Sequence, residues 1–215
     1  MSRNAIKIIA CLLMAVNHYA SFLVSIGPLR DFLVNAGYFT APVMCYFLVE
    51  GYGYTRSKRN YALRLLVFAF LSQYQYSLLF GNILNMLFSL FFCFCLLYVN
   101  ESRWAVWIKC LLSIALVAVS FVCDWSVLAP LMVFLFLSSG KDKRKLAVSY
   151  LTISLLMAIE QENLLSALPV LAAGIAVILL YNGKEGRRGL KWFFYLFYPL
   201  HLLPLVFLVY FPLAP

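Results

Sequence analysis

Apolar residues come in nine runs, at 5–24, 33–53, 60–80, 83–99, 104–122, 125–139, 146–160, 164–182 and 190–212, separated by short charged or turn-forming clusters. Most runs approach the roughly 20 residues that an α-helix needs to cross a bilayer. The pattern predicts an all-α fold, a polytopic membrane bundle of about nine transmembrane helices with very short loops. The 125–139 run is the exception, being short for a full crossing and containing Pro130. A tilted, kinked or re-entrant segment is expected there. The first run opens with Arg3 and Lys7, as a secretory signal would, but continues Ser25-Ile26-Gly27-Pro28-Leu29 without a small-residue cleavage site. It reads as a retained first helix.

Composition agrees with the pattern. Hydrophobic residues make up 65% of the 215 and charged residues 12%, with a mean hydropathy of +0.92. Soluble domains carry about 25% charged residues, so no aqueous surface can be built from this chain, and residues 1–215 are expected to form a single transmembrane domain. The 19 Phe, 14 Tyr and 4 Trp are expected mostly as lipid-facing filler and interface belt.

Charge then gives the bundle a direction. With a cytoplasmic N-terminus, one side of the membrane collects sixteen Lys and Arg: Arg3, Lys7, Arg56, Lys58, Arg59, Arg64, Arg103, Lys109, Lys141, Lys143, Arg144, Lys145, Lys184, Arg187, Arg188 and Lys191. The other side receives Arg30 alone. This positive-inside bias predicts a multi-pass protein of the cytoplasmic (inner) membrane with its C-terminus outside. The net charge of +9 follows from it and points to anionic lipid or an anionic cytoplasmic ligand, not nucleic acid.

Cys11, Cys45, Cys93, Cys95 and Cys110 lie within apolar runs and read as small buried hydrophobes, while Cys123 has no evident partner. Cys93 and Cys95 are about 200° apart around a helix and cannot clamp one metal; no metal site is expected.

Ionisable groups at membrane depth cost at least about 2.5–3.5 kcal/mol each and are functional candidates by default. They are His18, Glu50, Arg64 and His201, with Asn17, Gln73, Gln75 and Asn85 as uncharged companions. At about 1.5 Å per residue, His18 lies roughly 20 Å along the first helix and His201 about 15 Å along the last. The two meet if those helices are neighbours. Glu50 and Arg64 lie about one turn inside the basic face, where they can pair. The plainer alternatives are interhelical hydrogen bonding for the histidines, snorkelling or a structural ion pair for Glu50 and Arg64, and topology signals for the basic loops.

Particular strings are more specific. Lys7-x-x-Ala10-Cys11-x-x-Met14-x-x-Asn17-His18, Ala41-Pro42-x-x-Cys45-Tyr46-Phe47-Leu48-Val49-Glu50-Gly51-Tyr52, Thr55-Arg56 and Tyr61-Ala62-x-Arg64-Leu65 resemble the N-terminal half of the TraX family. Leu71-Ser72-Gln73, Asn85-Met86-Leu87-Phe88, Cys123-Asp124-Trp125 and Phe197-Tyr198-Pro199-Leu200-His201 continue the resemblance. The chain departs from the family pattern at Asn17 and Gln73, where acids are usual, and near Tyr38 and Thr40, where an Arg is.

The resemblance implies a membrane acyltransferase moving an acetyl group from cytoplasmic acetyl-CoA to an amine or hydroxyl acceptor: a protein N-terminus, a peptide or a glycan. Under it, His18 is the general base, Asn17 orients its ring, and His201 orients the acceptor or stabilises the oxyanion with Asn85 or Gln73; Asp124 joins these as a candidate. Arg56, Lys58, Arg59 and Arg64 meet the phosphates of acetyl-CoA, with Glu50 positioning Arg64. A non-catalytic assembly protein descended from such an enzyme and a small transporter are the other readings. No internal repeat favours the last.

Overall fold

The computed structural model describes residues 1–187 and 189–211; Arg188 and the end of the 190–212 run lie outside the described residues. Among those described there are nine helical segments and no strand: α1 Arg3–Leu23, α2 Pro28–Tyr54, α3 Lys58–Phe80, α4 Met86–Glu101, α5 Val106–Ser120, α6 Leu128–Ser139, α7 Lys143–Glu160, α8 Leu164–Leu180 and α9 Lys191–Tyr210.

Their ends are written locally. Ser2, Ser57, Asn85, Asp142 and Asn163 cap helix N-termini with side-chain oxygens, each accepting a backbone N–H that the helix cannot use. Pro28 begins α2, where its missing N–H costs nothing. Gly81 and Gly140, at φ 83° and 56°, stop α3 and α6 in a backbone conformation that favours glycine. The expected second helix starts five residues early, because a 3₁₀ turn at Gly37–Phe39 joins Pro28–Ala36 to Thr40–Tyr54.

Three helices, α1, α2 and α9, are long and apolar enough to cross a membrane. Helices α4, α5, α6 and α8 are apolar but shorter. The sixth helix has 12 residues, roughly 18 Å, against a hydrocarbon core of about 30 Å.

The surface is inverted relative to a soluble protein. Val106, Trp107, Leu111 and Ile114 of α5 are exposed, and that helix buries only Ser120. Cys110, expected to be buried, faces outward on the same helix. The aromatic residues are less peripheral than expected, since Tyr52, Tyr76, Tyr150, Tyr195 and Tyr198 are buried in the core.

Helix α2 is the centre, packing against α1, α4, α6 and α8, and α9 lies against both α1 and α3. At one end, Arg3 N donates to the Lys184 carbonyl (2.9 Å), Asn4 N to Glu185 (3.1 Å) and Asn182 N to Met1 (2.9 Å), tying the N-terminus to the α8–α9 connection. At the other, Leu84 N donates to the Val122 carbonyl (2.8 Å) and Asp124 N to Leu84 (2.7 Å), joining the α3–α4 and α5–α6 loops.

Candidate functional site

The contact of α1 with α9 brings the two histidines together: His18 Nδ1 lies 2.9 Å from His201 Nε2, with the rings nearly parallel at 20°. His201 Nδ1 lies 2.9 Å from the Phe197 carbonyl one turn earlier on α9. A carbonyl only accepts, so His201 carries its proton on Nδ1 and its Nε2 is the acceptor. His18 therefore donates from Nδ1, which leaves its Nε2 as the free basic nitrogen of the pair. The pair is buried, with Phe197 stacked on His201 and Phe80 packed against His18. Tyr19 adds a hydroxyl donated to the His201 carbonyl (3.2 Å), a second tie between the two helices.

Asn17 does not orient the ring as expected. Its Nδ2 donates to the Val34 carbonyl (2.6 Å), because consecutive helical residues project about 100° apart. The partner of the His18 ring is His201 instead.

Asn85 and Gln73 meet each other. Asn85 Nδ2 donates to Gln73 Oε1 (2.9 Å) and the Ala69 carbonyl (2.8 Å), and its oxygen accepts from Leu87 N (3.0 Å). Gln73 Nε2 donates to the Ile83 carbonyl (2.8 Å) and Ser77 Oγ (2.9 Å). Their donors hold the α3–α4 turn together, which leaves none directed at an oxyanion. Asp124 sits on the neighbouring α5–α6 loop, where burial pushes its carboxyl up to about 6 although the Tyr76 hydroxyl and Trp125 N–H favour its charge.

The expected Glu50–Arg64 pair is replaced by another. Glu50 lies 3.6 Å from Arg3 and accepts from the Tyr181 hydroxyl (2.9 and 3.0 Å). Helix α1 returns its first turn to the end of α2, and Arg3 arrives where Arg64 does not.

Arg64 instead lines a cavity of about 350 Å³ that opens at the basic end between α1, α2, α3, α4 and α9. Arg3, Lys7 and Lys191 share the wall with it, and Glu185 is the carboxylate among the lining residues. Arg64 lies against the Tyr61 and Tyr195 rings, and its Nε is buried without a hydrogen-bond partner. Below the cations the wall is apolar, with Met14, Met44, Met86 and Leu90. The cavity also reaches Tyr198, whose buried hydroxyl lacks a partner and whose ring packs against His201 at 5.5 Å.

Of the other expected ligands, Lys58 is engaged by Glu101 (3.5 Å) and the Tyr52 carbonyl (2.7 Å), and Arg56 and Arg59 are exposed off the cavity. In the sequence Arg3 and Lys191 stand only as topology charges and Lys7 and Tyr198 also within the TraX-like strings, none of them as a site residue. The available signal was that Lys7 and Lys191 begin the same two helices that carry the histidines.

The family model described as TraX protein matches residues 2–209. The chain is 30% identical over 233 aligned residues to the "Probable fimbrial assembly protein FimC, serogroup H1" of Dichelobacter nodosus, covering 94% of this chain and 96% of that one. No solved structure matches significantly. With both matches running almost end to end, the chain belongs to the TraX family.

Proposed function

We propose that this protein is a membrane-embedded acyltransferase of fimbrial assembly, moving an acetyl group from cytoplasmic acetyl-CoA to an amine or hydroxyl acceptor. The observation that carries the reading is the buried His18–His201 pair, whose tautomer chain leaves His18 Nε2 as a base held at membrane depth. Acyl transfer is what the TraX-like strings of the sequence imply, and the fimbrial name of the relative from Dichelobacter nodosus supports an acceptor within that assembly.

In this mechanism His18 Nε2 takes the proton from the acceptor as its nitrogen or oxygen bonds to the thioester carbonyl carbon. The carbon–sulfur bond then breaks, the sulfur leaves with the electron pair, and His18 returns the proton to it. His201 works on the other side of the ring. When His18 becomes cationic, its Nδ1–H bond to His201 Nε2 becomes charge-assisted, stabilising the cation where charge develops.

Nine crossings with a cytoplasmic N-terminus complete the proposal. The sixteen-to-one partition of Lys and Arg supports them, as do the contacts that gather Arg3, Lys184 and Glu185 at one end. A non-catalytic assembly role has its own support: Asn17, where the family usually has an acid, is committed to Val34, so no carboxylate backs the pair from that position.

Purified protein given labelled acetyl-CoA and a peptide with the N-terminal sequence of a fimbrial subunit separates the two. Transfer by the wild type and loss in His18→Ala is expected. Equal turnover in the two removes His18 from the role, and no transfer by the wild type, to this peptide or to amine and hydroxyl competitors, leaves the assembly reading.

A further inference from the structure

Cations inside a membrane bundle are normally matched by carboxylates or carried out to water on their own stems. The cavity wall at the basic end does neither fully. Arg3 is held by Glu185 (3.1 Å) and Glu50 (3.6 Å), but Lys7, Arg64 and Lys191 have no carboxylate within ion-pair distance among the described residues. Lys7 and Arg64 lie against the rings of Phe194, Tyr61 and Tyr195 instead. Arg64 is the most telling, since it lines the cavity and its Nε is buried without a hydrogen-bond partner.

Four cations around about 350 Å³, with an apolar floor of methionine and leucine side chains, match a ligand with a multiply charged anionic head and an apolar or extended tail. A guanidinium that lines the cavity without a carboxylate partner suits phosphate best, because its planar fork binds two oxygens at once. We propose that this cavity binds the phosphate-bearing head of such a ligand, with Arg64 as its principal contact and Arg3, Lys7 and Lys191 as supporting charges.

Glu185 gives the proposal a second, opposite signature. It lines the cavity and occupies Arg3, so its carboxylate competes with an incoming phosphate for that cation. Removing its charge strengthens binding, whereas removing Arg64 weakens it. That the ligand is the acyl donor rests on the acyltransferase reading; the phosphate site itself rests on the geometry of the cavity. The same chemistry is presented by a soluble nucleotide and by an anionic lipid, and the test separates them.

Full-length protein in phosphatidylcholine nanodiscs is titrated calorimetrically with adenosine 3′,5′-bisphosphate, and in parallel with short-chain phosphatidic acid. Binding of either probe is expected, and the one that binds identifies the source of the phosphate. Arg64→Gln should weaken it by about tenfold or more, the loss of a charged hydrogen-bonding group. Glu185→Gln should tighten it severalfold, a gain that misfolding cannot mimic, and Lys143→Gln at the exposed start of α7 on the same end should leave it unchanged. No binding of either probe, equal binding by wild type and Arg64→Gln, or an equal loss in Lys143→Gln overturns the site. Acetyl transfer that persists without probe binding sinks the site and leaves the enzyme; binding without transfer to any acceptor tried sinks the enzyme and leaves the site.

Discussion

His201 shows how much a single residue's neighbours decide. It lies between Pro199 and Pro204 on α9, and the Phe197 carbonyl takes its Nδ1 proton, so the only nitrogen it can offer His18 is an acceptor. A base oriented in this way loses rate and keeps affinity when its orienting partner is lost. His18→Ala is expected to lower kcat by about 100-fold or more. His201→Phe, which keeps the ring volume and removes the acceptor, should lower kcat by about tenfold with KM unchanged in steady-state assays of acetyl transfer. Asp124 provides a pH handle. Burial raises its carboxyl to about 6 in the folded protein, from 3.8 for a free side chain. The folded state then holds the proton to higher pH than the unfolded chain, so the stabilisation is complete below 3.8 and lost as pH rises through about 6. Asp124→Asn removes this dependence. Thermal unfolding of the variant minus wild type should therefore shift towards the variant between pH 4 and pH 7, and a pH-independent difference would count against the assignment.

At the scale of elements, close helix crossings rest on small residues. A Cβ on Gly37 would lie 2.3 Å from Asn17 Cβ, so the 3₁₀ turn within α2 meets α1 only through a glycine. Gly37→Ala is expected to destabilise the protein by about 1–3 kcal/mol, the usual cost of overpacking, read as a lower Tm in detergent. The same substitution should disturb Asn17 and spare the cavity, which lies nearer the other end of α1. The existence of each helix was legible from its apolar run, because hydropathy summed over several turns outweighs any single residue. The 3₁₀ turn at Gly37–Phe39 and the π-turn that ends α8 at Ala176–Leu180 were not. Both depend on how neighbouring helices pack, and no period in the chain announces them.

At the scale of the whole molecule, two ends of different chemistry are joined by an apolar belt. The basic end holds the cavity and the clasp between the N-terminus and the α8–α9 connection; the other holds the Leu84–Cys123 bridge and Asp124. The proposed topology predicts that a membrane-impermeant maleimide added to intact cells labels Ile26→Cys, and labels Lys141→Cys only after permeabilisation. Native background should be low, since Cys11, Cys45, Cys93 and Cys123 are buried and Cys110 faces the apolar belt. Labelling of both positions from outside would reject the alternation of ends.

The sequence by itself determined the helical class, the approximate bounds of the helices, the basic polarity and the short list of polar residues set among apolar ones. These are properties of single residues accumulated along a helix, so they need no knowledge of neighbours. Only the tertiary structure decided who meets whom. Packing of α1 against α9 joined His18 to His201, the returning N-terminus gave Glu50 to Arg3, and Arg64 was left facing a cavity with Lys7 and Lys191. A hydrogen bond or ion pair acts over about 3–4 Å, and in these three cases the partners lie on helices that come together only once the bundle has formed.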